Sequence, residues 1–350
     1  MTEEAGIGFF EKYLSVWVIL CLAAGIALGY YLPGVTAFLR RLEYASVSAP
    51  IAVLIWIMIY PMMLKVDFQS IRDIRRNPQG LIITWVVNWL IKPFTMFFFA
   101  NLFFFGVWKS YIDPALARDY LAGAILLGAA PCTAMVFVWS HLTKGNPAYT
   151  VVQVATNDLI IVIAFAPITA FLLGVGGVTI PWKTLWLSVV LFVVLPLTGG
   201  GLTRSWLIRK KGLDYFQNVF LPKFDSLTVA GLLLTLVIIF SFQSQVILDN
   251  PKHILLISVP LIIQTVFIFF LAYLAGWLWK LPHNISAPAG LIGASNFFEL
   301  AVAVAIAVFG AQSPVALAAI VGVLVEVPVM LVLVWAANRT RGWFDKRAGA

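Results

Sequence analysis

Charge is what this chain has least of. Asp, Glu, Lys and Arg make up 11% of its 350 residues, while 62% are hydrophobic. A soluble domain carries about a quarter charged residues, so a water-soluble fold of this size is excluded. Long apolar runs recur from end to end, each reaching the ~20 residues that a membrane-spanning helix needs. Cysteine is equally scarce. Cys21 and Cys132 both sit inside apolar runs, which excludes a disulfide framework and a thiolate zinc cluster. The histidines, His141, His253 and His283, are far apart and fit no metal-ligand spacing. No phosphate-binding glycine loop occurs, and the polar connections are too short for a nucleotide-binding domain; "GVGG" at 174–177 reads as a turn. The chain therefore reads as no enzyme and as needing no cofactor.

What is present is a polytopic pattern. Ten apolar spans fall near 13–32, 46–64, 80–106, 120–140, 148–173, 182–203, 226–246, 254–278, 287–310 and 315–336. An even number puts both termini on one side. That side collects 16 of the lysines and arginines and the other side 6, so the positive-inside rule places both termini in the cytoplasm. Topology and lipid headgroups thus account for the net charge of +8, with the bilayer rather than nucleic acid as the partner. The first span follows an acidic stretch and lacks a small-residue cleavage site, and it is expected to be retained.

The spans group as five plus five within a single transmembrane domain over 1–350. Repeat one runs from about 10 to 175 and repeat two from about 182 to 338, with a basic cytoplasmic linker at about 204–225. An odd number of spans per half inserts the halves with opposite orientation, the inverted-repeat plan of many secondary transporters. The expected fold is an all-α membrane protein with ten transmembrane helices in two inverted five-helix repeats, helices 4 and 9 broken and crossing at the midplane. The breaks are "GAAPCTAM" and "GASNFFEL". Cys132 and Glu299 each lie about twelve residues into their spans, at ~1.5 Å per residue close to the middle of a ~30 Å core. Asp158 and Glu326 sit at similar depth in helices 5 and 10, and Lys92 does so in helix 3.

Unwound backbone at that depth is tolerable only where it is buried or lines a cavity. Pro131 suits the first turn of a new helix, which would put Cys132 and Thr133 in that turn. Asn296 reads as an N-cap with Glu299 completing a capping box. Each residue has a plainer alternative. Cys132 fits a small apolar filler and Glu299 a cap, although an acid at membrane centre costs ~2.5–3.5 kcal/mol. Asp158 and Glu326 fit structural hydrogen-bond or ion-pair members, and Lys92 an ion pair with one of the acids. Asn157 fits helix packing or a ligand contact. Trp139 reads as an interfacial anchor. One sulfur, one carboxylate and a few amides, with no arginine cluster, point to a secondary transporter for a small, thiophilic solute. They do not name the element.

"GAAPCTAMVFVWSHLTKGNPAYTVVQVATNDLI" and "ASNFFELAVAVAIAVFG" closely resemble the Acr-type arsenite efflux permeases of the bile acid/arsenite/riboflavin transporter superfamily. The resemblance runs from about residue 10 to 338. It implies crossed, broken helices 4 and 9, an essential Cys at Cys132 and an essential Glu at Glu299, with Asn157 and Glu326 matching further family positions. It also implies extrusion of arsenite, As(OH)3, in exchange for protons, with antimonite as a further cargo, across the cell membrane. Cys132 would ligate As(III) as substrate, with Thr133, Asn157, Asn296 and Glu299 around it. Glu299 would carry the proton, assisted by Glu326 or Asp158. The alternative is a sodium-coupled symporter of an organic anion from the same superfamily.

Overall fold

Three helices start where a capping side chain precedes a proline. In the computed structural model, which describes residues 13–41, 43–44, 47–67, 78–133, 135–178, 182–249 and 251–348, Asp113, Asn146 and Ser313 accept from the N–H groups of Ala115, Tyr149 and Ala316. Pro114, Pro147 and Pro314 follow them. The cap satisfies an orphan donor, and the proline has none to satisfy.

In chain order, α1 (Leu14–Tyr31) bends sharply into α2 (Pro33–Arg41). A minimal antiparallel hairpin, β1 (Glu43–Tyr44) and β2 (Val47–Ser48), pairs Tyr44 with Val47. There follow α3 (Ala49–Leu64), α4 (Pro78–Val107), α5 (Pro114–Gly128), α6 (Val136–Leu142) and α7 (Pro147–Val175). Helical backbone then runs over Trp182–Phe242, but Gly212 at φ 86° turns the chain, dividing α8 (182–211) from α9 (Pro222–Phe242). The remainder is α10 (Ser244–Asp249), α11 (Pro251–Leu278), α12 (His283–Ala294), α13 (Phe298–Phe309), α14 (Pro314–Arg339) and α15 (Arg341–Ala348). Of the cations assigned to the cytoplasmic side, Lys12, Arg72, Arg75 and Arg76 lie outside the described residues.

The protein is thus an all-α membrane protein apart from one short hairpin. Among the described residues, five helical stretches are long and apolar enough to cross a bilayer, six if the bent α1–α2 pair is one span, and large apolar side chains face outward, Leu202, Ile163 and Leu255 being at least 70% exposed. Of the four π-helical turns among the described residues, three, Val87–Ile91, Val190–Val194 and Phe216–Phe220, end two residues before Pro93, Pro196 or Pro222, while Leu102–Val107 ends α4 without one. A proline removes the N–H that would close a regular turn and crowds the carbonyl behind it, so the preceding turn widens.

The interior is built around the second break. All of α12 except Asn284 is buried, as is α13 from Phe298 to Ile306. α12 packs on α11 and α6; α13 packs on α14, α5 and α8. The helices extend beyond the apolar runs: α5 starts at Pro114 and α12 at His283, because caps and prolines set helix ends while hydropathy marks only the lipid-depth part. Trp139 corrects the expectation of an interfacial anchor, being 2% exposed inside the protein.

Gly123 lets α5 meet α14. A Cβ there would stand 2.5 Å from the Val315 carbonyl oxygen and 2.6 Å from the Ala318 Cβ. Helix propensity favours alanine by up to ~1 kcal/mol, whereas overpacking costs ~1–3 kcal/mol. Packing wins, so Gly123→Ala lowers the melting temperature of the detergent-solubilised protein. An unchanged or raised value would show that the helices part freely at this point.

Candidate functional site

Two interruptions, far apart in sequence, close on each other. Pro131 pairs with Asn296 in an isolated antiparallel bridge. The Cys132 N–H donates to the Ser295 carbonyl (3.3 Å), and the Phe297 N–H donates to the Ala130 carbonyl (2.8 Å). Each break supplies the partners that the other one lacks, which is how unwound backbone survives away from water.

This bridge corrects two local expectations. α6 begins at Val136, so Cys132 and Thr133 precede the half-helix rather than forming its first turn. α13 begins at Phe298 behind Phe297, and no side chain caps it, so Asn296 and Glu299 form no capping box. In both cases the residues expected to cap or open the helix, Cys132 beside Pro131 and Asn296, are drawn into the bridge between the breaks instead.

Two charged side chains brace the turn. The Lys92 ammonium, fully buried on α4, donates to the Ser295 carbonyl at 2.5 Å. Glu326 on α14 accepts from the Ser295 hydroxyl (2.5 Å) and from the Asn296 N–H (3.0 Å). The ion pair expected of Lys92 is therefore indirect. The ammonium feels the Glu326 charge, but its hydrogen bond goes to the backbone between them. Cys132 lies within electrostatic reach of Glu326, Glu299 and Lys92.

Cys132, Thr133, Asn296, Glu299 and Glu326 are each 5% exposed or less, and Asn157 and Asp158 are fully buried. Cys132, Asn296, Glu299, Glu326 and Lys92 are tied to the crossing by the contacts above. Asn157 accepts from Trp89 Nε1 of α4 (3.3 Å) and from Gln153 Nε2 (3.4 Å). Asp158, about 100° further round α7, makes no described contact with the crossing. Several polar atoms here have no hydrogen-bond partner: Thr133 Oγ1, Asn296 Oδ1, Glu299 Oε2, Glu326 Oε2 and Asn157 Nδ2. Buried polar groups are normally paired, so the cluster holds donors and acceptors whose hydrogen-bonding capacity is unmet.

A model of the Sodium Bile acid symporter family matches residues 52–250, more than half of the chain. The chain belongs to this family. The matched segment takes in the first break and stops short of the second; full-length relatives reach both. The arsenical-resistance protein Acr3 of Alkaliphilus metalliredigens (strain QYMF) is 64% identical over 348 residues, 99% of this chain and 97% of that protein. The uncharacterized transporter slr0944 of Synechocystis sp. (strain ATCC 27184 / PCC 6803 / Kazusa) is 45% identical over 97% of this chain and 91% of its own length. The Acr3 protein of Corynebacterium glutamicum is 34% identical over 95% and 90% respectively. Family membership and the apolar helices together make this a multi-pass membrane protein of a transporter family.

Sequence reasoning missed Ser295, which joins Lys92, Glu326 and Cys132, and the buried amides Asn88, Gln153 and Gln264. A signal existed for each: Ser295 stands in the second break motif, and the amides interrupt apolar runs in "VVNWLIKPF", "TVVQVATND" and "LIIQTVF".

The bracing predicts a double-mutant signature. Lys92→Met and Glu326→Gln each strand an uncompensated buried group, at a cost of ~3–5 kcal/mol. The double variant costs less than the sum, with a coupling of ~0.5–3 kcal/mol. Thermal melts of the four proteins measure this; strict additivity would separate the two charges energetically.

Proposed function

We propose that this protein is a secondary active transporter that extrudes arsenite from the cytoplasm in exchange for protons and so confers arsenic resistance. The observation that carries the reading is the buried Cys132 thiol, set in the crossing of two unwound segments beside two buried carboxyl groups with unpartnered oxygens. The 64% identity with an arsenical-resistance protein supports it. As(OH)3 is small, neutral and thiophilic. One sulfur suits a soft As(III) centre and still releases it, where three thiolates would trap it. The Cys132 sulfur bonds arsenic as one As–OH bond breaks, the thiol proton and the hydroxyl leaving as water, and Thr133, Asn157 and Asn296 meet the remaining hydroxyls. Antimonite has the same chemistry and is the second cargo under this reading.

The driving force follows from charge. A neutral cargo gains nothing from the membrane potential, whereas one proton moving inward yields ~2.3 kcal/mol per 100 mV. Glu299, with one oxygen free of hydrogen bonds, is the proton carrier in this reading. Glu326 is committed to the turn and serves as relay; Asp158 is the alternative relay.

We further propose ten spans in two inverted repeats with both termini in the cytoplasm of the cell-membrane-embedded protein. Three features support this. α7 and α14 start with the same cap-and-proline device and carry internal Pro167 and Pro328. The two breaks bridge antiparallel. α1 packs on α9 as α3 packs on α8, and α4 packs on α5 as α11 packs on α12. These are the pairings that inverted halves would repeat.

Everted vesicles test the function. Arsenite and antimonite accumulation should follow an imposed proton gradient. Cys132→Ser should abolish it with expression and insertion intact, whereas Cys21→Ser transports normally. Wild-type transport by Cys132→Ser would end the sulfur-ligand reading. Glu299→Gln should retain arsenite binding and lose gradient-driven accumulation; near-normal accumulation would move the carrier role to Glu326 or Asp158.

A further inference from the structure

The family is named for sodium. In inverted-repeat transporters, unwound carbonyls and the C-terminal ends of half-helices hold the coupling cation. Here the C-terminal end of α12 is Ser295, and its carbonyl already accepts from the Lys92 ammonium. We propose that Lys92 is a tethered cation, filling the place at the Ser295 carbonyl that sodium would need, near the Glu326 charge, and making the protein independent of sodium. This rests on the reading of the crossing as the transport site.

The chemistry of the donor set supports it. An alkali ion needs converging oxygens. The Ser295 carbonyl is shared between Lys92 Nζ and the Cys132 N–H, and Glu326 Oε1 holds the Ser295 hydroxyl and the Asn296 N–H; the oxygens still open, Glu326 Oε2, Glu299 Oε2 and Asn296 Oδ1, are left without the backbone carbonyl that would complete a cation's shell. An ion entering here would also meet the ammonium at close range in a medium that screens poorly. Lys92 cannot withdraw toward a headgroup. It is fully buried, it leaves the π-helical turn of α4 one residue before Pro93, and Gln264 Nε2 holds its own carbonyl. Being covalent, this charge satisfies the turn in every state of the cycle without crossing the membrane. That leaves Glu299 free as the exchangeable site. The residues present therefore do not fit the ion that the family name implies.

The test is thermal melting of the purified protein in sodium chloride and in choline chloride at equal ionic strength, with no arsenical present. The wild type melts at the same temperature in both. Lys92→Gln, with the Ser295 carbonyl now open beside the Glu326 carboxylate, melts roughly 3 °C or more higher in sodium, and adding Glu326→Gln removes that response. A sodium-specific rise in the wild type overturns the proposal, as does a folded Lys92→Gln variant that ignores sodium. Should Lys92→Gln fold in neither salt, calorimetric titration of the wild type with sodium decides: no saturable binding supports the proposal and a saturable isotherm refutes it. Because these melts contain no arsenical, an error in the proposed cargo leaves them unchanged. Arsenite transport that required sodium would overturn the tethered cation while leaving the cargo intact.

Discussion

A backbone that stops being helical inside a membrane protein must find hydrogen-bond partners within the protein, since lipid supplies none. Here the two interruptions answer each other. Ala130 and Ser295 offer carbonyls, and Phe297 and Cys132 offer N–H groups across the gap. Much else follows from that exchange. It fixes the crossing of the segments on either side, requires both to be enclosed by protein, and brings a thiol from one half of the chain against acids from the other. Small residues allow the enclosure. At Gly123 the α5 backbone lies against the α14 backbone, and at Gly322 of α14 a Cβ would stand 2.6 Å from Leu127 Cδ1.

The bracing charges show how such a turn can carry an ammonium and a carboxylate. Removing each from water costs several kcal/mol, which mutual attraction offsets only with good geometry and further hydrogen bonds. Glu326 has two such bonds through Ser295 and Asn296, and Lys92 has one through Ser295. Glu299 has no such bond to another described residue, and its Oε2 has no partner. This difference separates the roles. The carboxyl that is tied down holds the turn, and the carboxyl that is less tied is the one proposed to exchange a proton.

Much of this was legible in the sequence. A cysteine beside a proline in an apolar run, and an acid at equal depth in a later run, mark two breaks whatever the neighbours are. The membrane class followed from the shortage of charge alone. What could not be read was which groups of the two breaks bond to each other. Pro131 looks like a helix start because the same missing N–H suits an extended bridge, and only contact with Asn296 decides between them. Asn296 looks like a cap for the same reason. Ser295 is an ordinary residue until Lys92, Glu326 and Cys132 converge on it. Trp139 shows the converse limit, since aromatic character marks an interface or a core with equal force.

The account stands most directly on whether arsenic reaches the Cys132 sulfur. X-ray absorption at the arsenic edge, on purified protein equilibrated with arsenite, reads the atoms bound to the metalloid. The account predicts a single sulfur with oxygens completing the shell, retained in Cys21→Ser and replaced by an all-oxygen shell in Cys132→Ser. An all-oxygen shell in the wild-type protein, with arsenite demonstrably bound, would contradict it.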